Sequence, residues 1–120
     1  MKKTIALFGL MLAALPAGGS APLKLSVTPA HAFAPATLRI RATVEPNAAN
    51  RKLAVIADGV NFYRSSEIPL DGEQAPKMVE TRFADLPDGE YDISAVLTDL
   101  SGHARAIAHQ SVRVMEALSH

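Results

Sequence analysis

Residues 37–45 read Thr-Leu-Arg-Ile-Arg-Ala-Thr-Val-Glu. Leu38, Ile40, Ala42 and Val44 share one parity, and Thr37, Arg39, Arg41 and Thr43 share the other. Side chains on a pleated strand point to alternate faces, so a period of two gathers the four apolar residues on one side. A helical wheel would scatter the arginines and threonines through the apolar stripe. The segment is therefore a half-buried strand, with a solvated face that an acidic partner could also meet.

Working outward, the same period recurs. Leu23, Leu25 and Val27 alternate with Lys24, Ser26 and Thr28. Leu53, Val55 and Ala57 form a further inner face that leaves Ile56 outside, and Val79, Thr81 and Phe83 face together. Tyr91, Ile93, Ala95 and Leu97 do likewise, and a short strand is expected near 62–68. In the last run Ile107 is odd while Val112 and Val114 are even, which a bulge near His109 to Ser111 would reconcile. Glu45-Pro46-Asn47, Asp58-Gly59, Asp71-Gly72, Asp88-Gly89 and Ser101-Gly102 punctuate the runs with residues that favour tight turns or positive φ. Pro29 and Pro35 bracket the first connection. Seven short strands separated by turns predict an all-β, antiparallel sandwich.

Leu86-Pro87-Asp88-Gly89-Glu90-Tyr91-Asp92-Ile93 resembles the turn and tyrosine corner that opens strand F of immunoglobulin-like and fibronectin type III-like domains. Ala95 to Gly102 is similar to strand F and the following turn of bacterial immunoglobulin-like modules. The resemblance implies a seven-stranded immunoglobulin-like sandwich over residues 22–116, followed by a short tail, 117–120. It also implies structural roles for Leu86, Gly89 and Tyr91, with the phenolic hydroxyl bonded to backbone a few residues upstream. Antibody-type domains carry Cys where Ile93 stands and Trp near Leu53 to Ala57, so the looser bacterial or fibronectin-like group fits better.

Ahead of the sandwich, Lys2 and Lys3 precede an uncharged apolar run from Ile5 to Leu15. Pro16 then breaks the run, and Ala17-Gly18-Gly19-Ser20-Ala21 offers small residues for cleavage. That order predicts a cleavable signal peptide over 1–21 and an exported product, periplasmic or secreted. The run falls short of the roughly 20 residues a membrane span needs. Without Lys2 and Lys3 the chain holds ten basic and twelve acidic side chains, a formal charge of −2. No basic surplus points to nucleic acid. With no Cys, burial rather than disulfides must supply stability, and thiolate chemistry is excluded.

No Gly-x-Ser-x-Gly elbow, phosphate-cradling loop or His-Glu-x-x-His helix occurs, so a non-catalytic module without a cofactor is expected. Asn61-Phe62-Tyr63-Arg64-Ser65-Ser66 places two aromatics beside an arginine, the residue types that dominate binding hot spots. Phe62, Tyr63 and Arg64 are thus the candidate contact site for another envelope or secreted protein. The plainer alternative is that one aromatic caps the core while Arg64 pairs with Glu67.

A different reading is a periplasmic copper or transition-metal carrier. Asp99-Leu100-Ser101-Gly102-His103 is similar to the last turn of that sandwich group, which reads Asp-Gly-His, although Ser101 stands where the group has Asp. The resemblance implies His103, Asp99 and His31 as ligands. His103 and His109 would lie roughly 20 Å apart along one strand, too far for a shared ion. Carbohydrate binding ranks last, because a chain with no Trp offers little planar platform.

Overall fold

The computed structural model describes residues 21–117; residues 1–20 of the expected signal peptide and 118–120 of the expected tail lie outside the described residues. The strands are β1 (Leu23–Thr28), β2 (His31–Phe33), β3 (Ala36–Val44), β4 (Lys52–Gly59), β5 (Tyr63–Pro69), β6 (Met78–Leu86), β7 (Gly89–Thr98) and β8 (Ala104–Met115). One 3-10 turn, Gly72–Gln74, lies between β5 and β6. They form an all-β sandwich of a three-stranded sheet, β1-β3-β6, and a five-stranded sheet, β2-β8-β7-β4-β5.

Two expectations need correction. Among the described residues there are eight strands rather than seven, and one pair is parallel: His31, Ala32 and Phe33 of β2 lie against Arg113, Val114 and Met115 of β8. The first edge strand changes sheets at Pro29, which has no N–H to extend a ladder. Three residues between two prolines are too few to display a period of two.

The alternation in 37–45 is that of the structure. Ala36, Leu38, Ile40, Ala42 and Val44 are buried, and the residues between them are exposed. Leu53, Val55 and Ala57 face them from β4, with Tyr91, Ile93, Ala95 and Leu97 from β7. Between Phe83 and Leu86 a bulge interrupts the β3–β6 ladder, and Asp85 takes φ 60, a conformation that Asp tolerates better than most residues.

β8 departs from the expected bulge at 109–111. Its ladder with β7 runs unbroken from Val114 to Ala106, and the irregularity lies at the Leu97/Thr98 step. From Ala106 to Val114 the even positions therefore face inward, and Ile107 points out, 55% exposed. Gln110 explains why a polar residue occupies an inward position. Its Oε1 accepts the Val27 N–H at 3.3 Å and its Nε2 donates to the Val27 carbonyl at 3.2 Å. The carboxamide thus takes the place of a neighbouring strand for edge groups of β1 that would otherwise lack partners.

The opposite flank, between β5 and β6, is tied by Arg64, whose Nη1 donates to the Ala84 carbonyl at 2.9 Å. At one end of the sandwich, fully buried Asn50 joins three segments. Its Nδ2 donates to the Glu45 carbonyl at 3.0 Å, its Oδ1 accepts from Arg105 Nη1 at 2.6 Å, and its own carbonyl accepts the Gly72 N–H at 3.0 Å. Among the described residues no buried side-chain nitrogen or oxygen lacks a partner.

Candidate interaction face

The tyrosine corner positions the contact residues anticipated from sequence. Tyr91 is 4% exposed, and its hydroxyl donates to the Pro87 carbonyl at 2.7 Å. Leu86 beside it is fully buried, and Gly89 has φ 147, which only glycine adopts readily. Burial, and secondly the negative charge of Asp88, push the Tyr91 phenol above its usual 10.0.

Phe62 and Arg64 belong to this corner rather than to a free surface. The Phe62 ring meets Tyr91 edge-on, with centroids 6.1 Å apart and planes at 79°. The Arg64 guanidinium lies 5.1 Å from the Phe62 centroid while bonding Ala84. Glu67, the anticipated partner of Arg64, pairs instead with Lys52 at 3.5 Å. Of the three, only Tyr63 faces solvent, at 63% exposed. The parity of β5 accounts for this, since Phe62 and Arg64 share a parity that turns toward the core and Tyr63 takes the other.

The outward parity of the five-stranded sheet forms a different surface. Ile107, Val96, Ala54 and Glu67 lie in one row across β8, β7, β4 and β5. His109, Ser94, Ile56 and Ser65 form the next row, and Ser111, Asp92, Asp58 and Tyr63 the one after. Four strands span about 15 Å at the usual spacing. The centre is apolar and made of small or branched side chains, with Lys52 and Glu67 at its rim. His109 Nδ1 lies 3.3 Å from Asp92, and Arg113 pairs with Glu90. An open cleft of about 370 Å³ beside Asp58, Glu90 and Asp92 marks the acidic end.

Parity in the sequence puts Ile56 outside, but the face as a whole depends on register between strands. Val96 sits inside the continuous apolar run Ala95-Val96-Leu97, and Ile107 faces outward where the expected bulge would turn it in. The outer face of the three-stranded sheet keeps its arginines, and two of them are paired. Arg39 and Arg41 hold Glu80 between them, with Nε–Oε distances of 3.2 and 3.3 Å.

The metal ligands anticipated from the last turn do not converge. Asp99 Oδ1 accepts the His103 N–H at 2.9 Å, closing the turn that Gly102 makes with φ 87. His31 lies not in a loop but in β2, opposite Arg113, some nine strand residues from His103, or about 30 Å. Among the described residues no three His, Cys, Asp or Glu side chains are grouped to hold an ion.

Two packed sheets, a sheet-switching first strand and a tyrosine corner define an immunoglobulin-like β-sandwich. No family model matches the chain, and no curated protein matches its sequence. Solved structures do. A superoxide reductase (neelaredoxin) from Ignicoccus hospitalis superposes with TM-score 0.61 at 13% identity, over 78% of this chain and 80% of that one. The sulfur carrier protein SoxY from Chlorobium limicola f thiosulfatophilum gives 0.60 at 15% identity, over 94% and 96%. The fibronectin(III)-like modules of Clostridium thermocellum CbhA give 0.53 at 20% identity, over 80% and 99%. At such identities the likeness is of fold. Among the described residues no helix is long and apolar enough to cross a membrane.

Proposed function

We propose that the chain is an exported, non-catalytic immunoglobulin-like module that binds another envelope or secreted protein through the outer face of its five-stranded sheet. The observation that carries this reading is the row Ile107–Val96–Ala54, aligned across three strands with Ile56 beside it and Ile107 55% exposed. An apolar centre ringed by serines, a histidine and a Lys–Glu pair has the anatomy of a protein interface. Tyr63 at its edge supplies an aromatic with a polar end. Export rests on the charged and apolar order of the N-terminus. Fibronectin(III)-like modules among the structural neighbours are compatible with life outside the cytoplasm.

The test is crosslinking from the full chain in an envelope fraction, with Ile107→Glu and Arg64→Ala compared. The expected result is a specific partner captured by wild type, lost with Ile107→Glu, and kept by Arg64→Ala in its folded fraction. Equal capture by Ile107→Glu would remove this face from the interaction. Absence of any partner, with a circular dichroism spectrum of folded β structure, would overturn the binding role.

A further inference from the structure

The outer face of β1-β3-β6 has a charge imbalance that the proposed binding role does not use. Lys24, Arg39, Arg41 and Arg82 share this face with Glu80, while Glu45 lies beside Lys24 at its far end, on a chain whose formal charge is zero. Arg39 stands directly opposite Arg82 across the β3–β6 ladder, and like charges so placed repel. Glu80 is already divided between Arg39 and Arg41, and Arg82 has no acidic partner among the described residues. Arg39 therefore shares its one carboxylate with Arg41, and Arg82 opposite it in the ladder is left without one.

Beside that spot lies an open cleft of about 420 Å³, lined by Thr28, Pro29, Thr37, Arg39 and Arg82. We propose that this cleft receives a carboxylate from a short acidic segment of a partner protein, docked across the outer face of the three-stranded sheet. Two guanidinium forks match the geometry of a carboxylate, and two threonine hydroxyls stand ready to complete its shell. Binding would also remove the repulsion between Arg39 and Arg82. Glu80 decides the kind of partner. A continuous anionic surface laid on this sheet would meet that carboxylate at close range. A peptide can instead place its own acid at the Arg39–Arg82 end and avoid Glu80.

The test titrates a fluorescein-labelled oligoglutamate peptide against the full chain, expressed with its own N-terminal segment, by fluorescence anisotropy. An oligoglutamine peptide and vesicles containing anionic lipid serve as separate probes. The acidic peptide is expected to bind, to weaken as salt rises toward about 0.15 M, and to exceed the neutral peptide. Arg39→Gln with Arg82→Gln is expected to lower its affinity about tenfold or more, the scale of an interface hot spot. Arg113→Gln, on the other sheet, is expected to leave it unchanged. Equal affinity for both peptides, or for wild type and the double variant, would overturn the proposal. Vesicle binding in place of peptide binding would reassign the face to a lipid surface. Self-association abolished by the double variant in sedimentation would reassign it to a second copy of this chain. The apolar face of the five-stranded sheet plays no part, so Ile107→Glu is expected to leave the titration intact.

Discussion

Gly59 lies directly opposite Tyr91 across β4 and β7, and the aromatic ring covers it closely. A β-carbon at Gly59 would fall 2.8 Å from Tyr91 Cε2 and 3.0 Å from Cδ2. The backbone at Gly59 is not in the left-handed region, so the restriction comes from contacts, the ring first and then the Phe62 carbonyl oxygen, 3.3 Å from the same position.

Gly59→Ala therefore forces the ring to move, and with it the hydroxyl bond to Pro87. Overpacking of this kind costs about 1–3 kcal/mol. The check is a double-mutant cycle in urea: the penalty of Gly59→Ala should largely vanish when Tyr91 is already leucine. An unchanged penalty would mean that the ring is not the cause.

Tyr91→Phe keeps the ring and its contact with Phe62 but deletes the bond to the Pro87 carbonyl. Loss of one buried hydrogen bond is expected to lower stability by about 1–2 kcal/mol. A denaturant midpoint equal to wild type would show that the corner bond contributes nothing.

The same hydroxyl sets a pH dependence. Burial and Asp88 raise the Tyr91 phenol above 10.0, so the folded state keeps it neutral at pH values where the unfolded chain has begun to ionise. Its contribution is fully present below about pH 10, the unfolded value. It is lost as pH rises from there through the higher folded value. Wild type and Tyr91→Phe should thus run parallel in stability up to that point, with wild type falling more steeply beyond it. Parallel curves throughout would remove the titration from the corner.

Gln110→Leu preserves volume and tests the flank between β1 and β8. Both edge groups of Val27 lose their partner, since a leucine can neither accept the N–H nor donate to the carbonyl. The expected cost is about 1–3 kcal/mol, the range for leaving buried polar groups unpaired. Faster hydrogen exchange at the Val27 amide is the local readout.

Legibility in the sequence followed the length and purity of each pattern. The stretch 37–45 alternates over nine residues without exception, and the corner is a local motif whose bond spans four residues, so both could be read directly. β2 escaped because three residues carry no period. The side of Ile107 escaped because Gln110 looks like an outward residue until its partner, 83 residues away, is known. The apolar row Ile107–Val96–Ala54 depends on register between three strands, and no single strand contains that information. Phe62 and Arg64 show the same limit. Their types suited a binding site, yet parity turned both toward the corner.

Arg64→Ala separates these two roles of one residue. As a contact residue it would alter binding and leave stability alone. In its observed place it bonds the Ala84 carbonyl, on the other sheet, and stacks over Phe62. A hydrogen bond from a charged donor is worth about 1.5–3 kcal/mol, and a partly exposed cation over an aromatic ring adds about 0.5–1 kcal/mol. Arg64→Ala should therefore lower the denaturant midpoint by the larger part of that sum. Arg64→Lys should recover only some of it, because an ammonium cannot lie flat on the ring and reach the carbonyl as the guanidinium does. Wild-type stability in Arg64→Ala would return Arg64 to the surface and reopen the reading of residues 62–64 as a contact site.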